Sequence, residues 1–268
     1  MSGRHGSGTI FISGCNLGCV FCQNWQISGG GSFAANGSRV TERLGRVVST
    51  EEFTAICLEL QNRGAENVNI VTGSHAVPAI VPDLNAAKNA GLRIPVLWNS
   101  SGYESTETLE LLDNCIDTWL PDLKTMDSVL AARFFNAPDY PRTAGQAISW
   151  MIRNRPHQVI VRHLILPGHL ESTRSVLRWF ADTAAASARL SLMSQYTPVG
   201  TEGPGRIITA QEYETVLGWL GEFGIEDGFC QELTTGSGAS RSDDWLPNFN
   251  RTNPFLSDLS KPVWHYRT

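Results

Sequence analysis

Short apolar segments typical of β-strands alternate with helical segments along most of this chain. The predicted strands cover residues 9–13, 67–72, 94–99, 116–124, 159–166 and 190–196. Strands that alternate with helices favour an α/β fold in which helices cover a parallel sheet. Six such strand–helix units fit either a doubly wound open sheet or an incomplete barrel, and patterning alone leaves both open.

Helix start and stop signals support the same organisation. Ser49 and Glu52 form a capping-box pattern ahead of helical apolar spacing that ends at Gly64, and Thr209 with Glu212 forms another. Further helices are predicted at residues 82–90, 106–112, 127–135, 142–153 and 172–188.

Composition excludes several classes of function. The chain has 268 residues, 41% of them hydrophobic, and a net charge of -5 with a pI near 5.7. This acidic balance predicts no nucleic-acid partner. No apolar run approaches the roughly 20 residues of a membrane span, and the N-terminus lacks the apolar core of a signal peptide. The six cysteines do not form the dense pattern of a secreted disulfide framework, so we expect a cytoplasmic protein.

The C-terminal segment differs from the rest of the chain. It is rich in proline and aromatic residues and shows little periodicity, yet it is too aromatic for a typical disordered tail. We therefore expect an α/β unit at residues 1–228 and an extended aromatic-rich tail at 229–268 that packs on it. The tail is either a packing strap or a segment that closes the active site.

Polar residues follow the predicted strands. Active sites of parallel α/β folds lie at the carboxyl ends of their strands, so we expect these residues to meet at one rim. They are Thr72, Ser74 and His75 after strand two, Asn99 and Ser101 after strand three, Asp122 and Lys124 on strand four, Arg162 and His163 on strand five, and Gln195 on strand six.

Three cysteines, Cys15, Cys19 and Cys22, follow the first strand directly. A structural zinc site needs four ligands, and His5 or His75 is a candidate for the fourth. A disulfide would use two of the three thiols. An iron–sulfur cubane bound by three cysteines leaves one iron open to a substrate or cofactor.

The Cys-x3-Cys-x2-Cys spacing, with Phe21 just before the last cysteine, resembles the cluster motif of the radical S-adenosylmethionine (SAM) superfamily. The blocks "PDLKTMD" and "VRHLILPG" resemble the activating enzymes of pyruvate formate-lyase. The blocks "GAENVNIVTGSH", "WNSSGYE" and "LMSQYTP" resemble a group of proteins related to those enzymes. This resemblance implies a partial (β/α)6 barrel.

The resemblance also implies the cofactors and the chemistry. Cys15, Cys19 and Cys22 would bind a [4Fe-4S] cluster whose open iron is chelated by SAM. One electron from a reduced flavodoxin or ferredoxin-type donor would cleave SAM to methionine and a 5′-deoxyadenosyl radical, which abstracts hydrogen. Phe21 would either pack near the adenine or shield the cluster.

Family positions imply the SAM contacts at strands two and three. Thr72, Ser74 and His75 stand where a Gly-Gly-Glu-like motif binds the SAM amino group, but the acidic residue is absent here. Asn99 and Ser101 stand where activating enzymes have an Asp-Thr-Asn-Gly stretch.

The remaining implied contacts lie on strands four to six. Lys124 would bind the SAM carboxylate, and Asp122 either joins the site or serves as the structural partner of Lys124. Arg162 is a second cationic group for the cofactor, and Gln195 would lie near adenine or substrate.

Three functional hypotheses follow. The first is a radical SAM enzyme that abstracts hydrogen from a protein or peptide, as glycyl-radical activases do. The second is a radical SAM enzyme acting on a small metabolite. The third is a non-catalytic iron–sulfur or zinc protein.

Overall fold

Seven strands form one parallel sheet in the residues that the computed structural model describes, namely 3–29, 44–233, 246–255 and 260–267. They are β1 (Gly8–Phe11), β2 (Val68–Val71), β3 (Val96–Ser100), β4 (Thr118–Pro121), β5 (Val159–Leu164), β6 (Ala188–Met193) and β7 (Gly228–Cys230). The sheet has one strand more than the six predicted, because β7 has only three residues and shows no readable alternation in the sequence.

The order of the strands decides between the two predicted architectures. They are hydrogen-bonded in chain order from β1 to β7, with no reversal. A doubly wound sheet reverses its strand order at a switch point, whereas a barrel adds each strand to the same side. Among the described residues β1 does not pair with β7, so the fold is a partial barrel with one open side.

Helices connect the strands and cover the outer face of the sheet. They are α1 (Trp25–Ser28), α2 (Thr50–Asn62), α3 (Val77–Asn89), α4 (Thr106–Leu112), α5 (Ser128–Phe135), α6 (Tyr140–Asn154), α7 (Leu170–Thr183) and α8 (Ala210–Glu222). The Thr209–Glu212 capping box is complete, and Ser49 Oγ accepts a hydrogen bond from the Glu52 amide. No described helix combines the length and the apolar character needed to cross a membrane.

Two helix boundaries differ from the predictions by five residues each. Helix α3 begins at Val77 rather than at residue 82, because Pro78 occupies its first turn, where a missing N–H costs nothing. Helix α7 ends at Thr183, five residues before the predicted end at 188.

The sheet carries an apolar floor beneath a polar rim on its inner face. Leu97, Leu120 and Ile160 form a small buried cluster on β3, β4 and β5. Side chains two residues apart on a strand share a face, so the residues at 99, 122 and 162 lie above this cluster on the same face. Outward-facing residues such as Trp98 and Trp119 are fully buried under the helices.

Described parts of the C-terminal tail contact β1 and the start of α2. The ring of Phe249 packs edge-on against Phe11 of β1, with centroids 5.1 Å apart. Trp264 Nε1 donates to Glu52 Oε1 at 2.8 Å, at the start of α2. The tail residue Trp245 falls outside the described ranges, and the division at residue 228 stays a prediction.

Candidate active site

The three clustered cysteines lie in the loop between β1 and α1. The backbone amides of Gly18 and Val20 donate to the carbonyls of Phe135 and Phe134, at 3.1 and 3.0 Å. The last carbonyls of an α-helix have no partner within the helix, so the end of α5 provides acceptors for this loop. The loop is therefore fixed to a rigid element.

The thiols of Cys15, Cys19 and Cys22 are free and largely buried. Burial raises the pKa of each thiol above its ordinary value, whereas the positive charge of Lys124 acts in the opposite direction on all three. Because Lys124 places a positive charge beside the three thiols, the site favours binding of an anionic group through cysteine thiolates. Because all six cysteines are free, the disulfide alternative is not realised.

The donor set fits an iron–sulfur cluster. Among the described residues no three His, Cys, Asp or Glu side chains lie close enough together to hold one metal ion. A cubane binds each thiolate to a different iron, so its ligands need not converge on a single atom. Cys15, Cys19 and Cys22 would hold such a cluster, with one iron left for a non-protein ligand.

The cysteine loop is tied to the ends of β2 and β3. The ring of His75, at the end of β2, hydrogen-bonds through Nε2 to the Ser13 carbonyl at 2.9 Å. Asn16 donates to the Tyr103 carbonyl at 2.6 Å and accepts from the Ser101 hydroxyl at 3.3 Å. The structure thus places the predicted residues His75 and Ser101 in contact with the loop. Sequence reasoning missed Asn16, although it lies inside the cysteine motif.

Gly14 is the position in this loop that tolerates no side chain. Its φ of +104° favours glycine, and a Cβ would lie 2.5 Å from His75 Nε2. We expect Gly14→Ala to cost about 1–2 kcal/mol in backbone strain and also to displace the cysteine loop. The variant should bind markedly less iron and sulfide after anaerobic reconstitution. Both are measured chemically, alongside urea unfolding.

Gly91→Ala is the matched control for this prediction. Gly91 has a similar φ of +113°, but an added Cβ meets nothing within 4 Å. Gly91→Ala should lower the free energy of unfolding through backbone strain alone and should bind a normal amount of iron. Equal iron content in both variants would contradict the role assigned to the Gly14–His75 contact.

A charged network lies above the apolar floor. Lys124 Nζ is 2.6 Å from Asp122 Oδ2, and Arg162 Nε is 3.5 Å from Asp122 Oδ1. Burial opposes ionisation of Asp122, but Lys124 and Arg162 outweigh it and lower the pKa of the carboxyl. Burial likewise opposes the charge on Lys124, and Asp122 raises the pKa of its ammonium. One carboxylate between two cations leaves one positive charge at the rim.

Arg162 also connects this network to neighbouring strands. Its guanidinium hydrogen-bonds to Asn99 Oδ1 on β3 and lies 3.5 Å from Met193 Sδ on β6. The structure thus brings together four predicted residues: Asn99, Asp122, Lys124 and Arg162.

Tyr140 ties the ends of β3 and β4 together, and sequence reasoning missed it. Its buried hydroxyl lies 2.7 Å from the carbonyls of both Ser101 and Asp122 and accepts from the Lys124 amide at 3.1 Å. No local signal marks Tyr140, because it is distant in sequence and opens α6. The positions of Asp122 and Lys124 therefore depend on an element that follows them in the chain.

Gln195 lies two residues past Met193, the last residue of β6, rather than on the strand itself. Its Oε1 accepts from Gln231 Nε2 at 2.9 Å, and its carbonyl accepts from Gln23 Nε2 at 3.3 Å. Gln23 directly follows Cys22, so the cysteine loop also contacts the sixth strand.

Phe21 lies in an aromatic cluster beside this loop. Its ring packs edge-on against Phe134, Phe135 and Tyr196, and only 8% of the residue is exposed. These contacts cover nearly all of its surface. The ring therefore anchors the cysteine loop to α5.

His163 lies on the opposite face of the sheet from Arg162. It is buried between Leu123 O, 2.7 Å from Nδ1, and Thr173 Oγ1, 3.0 Å from Nε2. Burial lowers the pKa of its imidazole to about 4, so the ring is neutral at pH 7. Its contacts are structural.

The end of β2 carries a strained residue and contacts a buried acid from the loop after β3. Thr72 has a φ of +64°, which is unusual for a β-branched side chain. Ser74 donates to Glu104 Oε1 at 2.5 Å. Sequence reasoning missed Glu104, although it ends the block "WNSSGYE".

Comparisons with known proteins identify the family of this chain and structures of similar fold. The profile of the family described as "Radical SAM superfamily" matches residues 9–180. An uncharacterized protein of Methanocaldococcus jannaschii is 29% identical over 219 residues, which cover 79% of this chain and 61% of that protein. The chain thus spans less than two thirds of that relative.

Solved structures show the same fold at low sequence identity. Streptococcus suis SuiB bound to SAM aligns with a TM-score of 0.62 and 14% identity, over 85% of this chain and 51% of SuiB. SuiB bound to its precursor peptide SuiA aligns with a TM-score of 0.61 and 15% identity, over 91% of this chain and 52% of SuiB. The hydrogenase maturase HydG of Carboxydothermus hydrogenoformans aligns with a TM-score of 0.58 and 12% identity, over 93% of this chain and 62% of HydG.

The family match covers more than half of the chain and begins within β1, just ahead of the cysteine loop. A [4Fe-4S] cluster and SAM are the cofactors of that family, and the three free thiols beside a cationic rim suit both. The chain belongs to the radical SAM superfamily.

Proposed function

We propose that this enzyme abstracts a hydrogen atom from a residue of a peptide or protein, in the manner of the glycyl-radical activases. Cys15, Cys19 and Cys22 would hold the cluster, and with SAM bound at the rim the two cofactors would supply one-electron cleavage of SAM to methionine and hydrogen abstraction from the substrate, with 5′-deoxyadenosine as the product. We assign the electron to a reduced flavodoxin or ferredoxin-type protein. We place the reaction in the cytoplasm, where thiols stay reduced.

The residues of the rim have separate tasks in this proposal. Lys124 and Arg162 hold the SAM carboxylate, because their charges exceed that of Asp122 by one. Asp122 keeps both cations in place, and Asn99 orients Arg162. Gln195, at the end of β6, contacts adenine or substrate.

Further contacts come from the loops around the rim. Thr72, held at a positive φ, contributes its hydroxyl or carbonyl to SAM, since backbone strain of this kind concentrates at functional sites. His75 and Ser101 position the cysteine loop through Ser13 and Asn16. Phe21 shields the cluster from solvent.

The open side of the barrel is the observation that favours a peptide over a small metabolite. Among the described residues β7 is the last strand of the sheet and has no partner on its outer edge. Phe229 of β7 pairs in register with Ser191, which places it on the same face as Arg162 and Met193, and 49% of it is exposed. An unpaired edge beside an apolar side chain suits an extended peptide, which binds by adding a strand. SuiB, with a related fold, is described with a bound precursor peptide.

Deuterium transfer tests the proposal. The reconstituted, reduced enzyme is incubated with SAM and a deuterated cell extract that has been separated into macromolecules and small molecules. We expect deuterated 5′-deoxyadenosine, detected by mass spectrometry, from the macromolecular fraction, and its loss when that fraction is digested to free amino acids. Transfer only from small molecules would contradict the peptide substrate and support a metabolite. Failure to cleave SAM at all would contradict a catalytic role.

A further inference from the structure

Glu104 is a buried acid behind the ends of β2 and β3. Only 4% of it is exposed. Its Oε1 accepts two hydrogen bonds, from Ser74 Oγ at 2.5 Å and from Trp98 Nε1 at 3.3 Å. An indole N–H only donates, so this oxygen acts as an acceptor.

The second oxygen of Glu104 has no hydrogen-bond partner among the described residues. Burial raises the pKa of the Glu104 carboxyl above its ordinary value, and the neighbouring Ser74, Ser100 and Trp98 donors oppose that rise without offsetting it. None of them forms a well-directed bond to Oε2. Leaving a buried carboxylate oxygen unpaired is costly, and packing alone would be served by an apolar residue. Packing alone therefore does not explain why an acid occupies this position.

Ser74 connects this acid to the rim. It lies just past the end of β2 and is partly exposed, whereas Glu104 is not. A serine hydroxyl has one proton and two lone pairs. Because Ser74 gives its proton to Glu104, its free lone pairs can only accept. Donating to an acid behind it also polarises this hydroxyl and strengthens it as an acceptor.

The distribution of charge around the rim selects the ligand group. Lys124 and Arg162 leave a positive charge at the ends of β4 and β5, which suits the carboxylate of SAM. The α-ammonium lies on the same carbon as that carboxylate and needs acceptors nearby. The end of β2 offers a hydroxyl acceptor whose own proton is held by the buried acid Glu104.

We propose that Glu104 is a positioning residue that acts through Ser74, fixing the Ser74 hydroxyl as an acceptor for the α-ammonium of SAM. This inference rests on the proposed placement of SAM at the rim and is independent of the substrate. The acid that supports the ammonium site comes from the loop after β3, not from β2.

Binding affinities test this inference directly. SAM and its deamino analogue, which keeps the carboxylate and the sulfonium, are each titrated into the anaerobically reconstituted enzyme by calorimetry. We expect Glu104→Gln to weaken SAM binding roughly 10-fold and to leave the affinity for the deamino analogue unchanged. Ser74→Ala should give the same pattern, and the double variant should lose no more than either single variant.

Controls separate this role from a purely structural one. Glu107→Gln removes an exposed carboxylate from the neighbouring helix α4 and should change neither affinity. Ser74→Thr, which keeps the hydroxyl, should retain SAM binding. If Glu104→Gln does not fold, the partly exposed Ser74 variants carry the test. Equal loss for both ligands, additive losses in the double variant, or unchanged SAM affinity would each overturn the inference. The deuterium-transfer experiment tests the peptide substrate separately, so either proposal can fail without the other.

Discussion

Cys19→Ala is expected to abolish both cluster binding and SAM cleavage. Its thiol is buried beside those of Cys15 and Cys22, and two thiolates cannot hold three irons of a cubane. Loss of an outer-shell partner typically lowers metal affinity or activity by roughly 10–100-fold, and loss of a direct ligand should exceed this. Iron and sulfide content, the visible absorption of the reconstituted protein and the yield of 5′-deoxyadenosine measure the effect.

Cys57→Ala is the matched control. Cys57 is fully buried, but it packs in the core from α2. It should lower stability modestly while binding a normal amount of iron. Full SAM cleavage by Cys19→Ala would show that the cluster ligands have been assigned wrongly.

Lys124→Met is expected to weaken SAM binding by roughly 10–100-fold, because hydrogen bonds to charged groups are worth about 1.5–3 kcal/mol. Methionine keeps the length of the side chain, and Arg162 still neutralises Asp122, so the fold should persist. Calorimetric titration of the reconstituted enzyme gives the affinity. Cluster content should stay near that of the unmodified protein, which separates this variant from Cys19→Ala.

Lys261→Met removes an exposed lysine from the tail and serves as the charge-matched control. It should bind SAM normally. If Lys124→Met bound SAM as tightly as the unmodified enzyme, Lys124 would be only the structural partner of Asp122, the alternative that the sequence left open.

The alternation of strands and helices was enough to predict an α/β fold with a parallel sheet. Each predicted strand overlaps an observed one, because buried parallel strands need short runs of β-branched and apolar residues. The short strand β7 escaped detection, since a pairing with β6 over three residues leaves no pattern in the sequence. The strand order, which makes the sheet a partial barrel, depends on contacts between distant segments.

The candidate site, like the fold, was predictable from the sequence only in part. The cysteine motif is a local sequence pattern, and the polar residues at the strand ends meet because parallel strands end at one edge. Which of them pair could not be read from the sequence. Arg162 bridges Asn99 and Asp122, and Tyr140 bridges the loops after β3 and β4. Such contacts join residues that are tens of positions apart.

The sequence by itself determined the chemistry of this protein: three cysteines in one loop, the strand-end polar residues and the class of fold. Ligand spacing and hydrophobic period are local properties, so a linear chain displays them. Only the tertiary structure decided how these groups are supported. The contact of α5 with the cysteine loop and the buried position of Glu104 behind Ser74 each arise from packing between remote segments. The free energy of that packing is gained only when the whole sheet has formed, so no local sequence pattern predicts it.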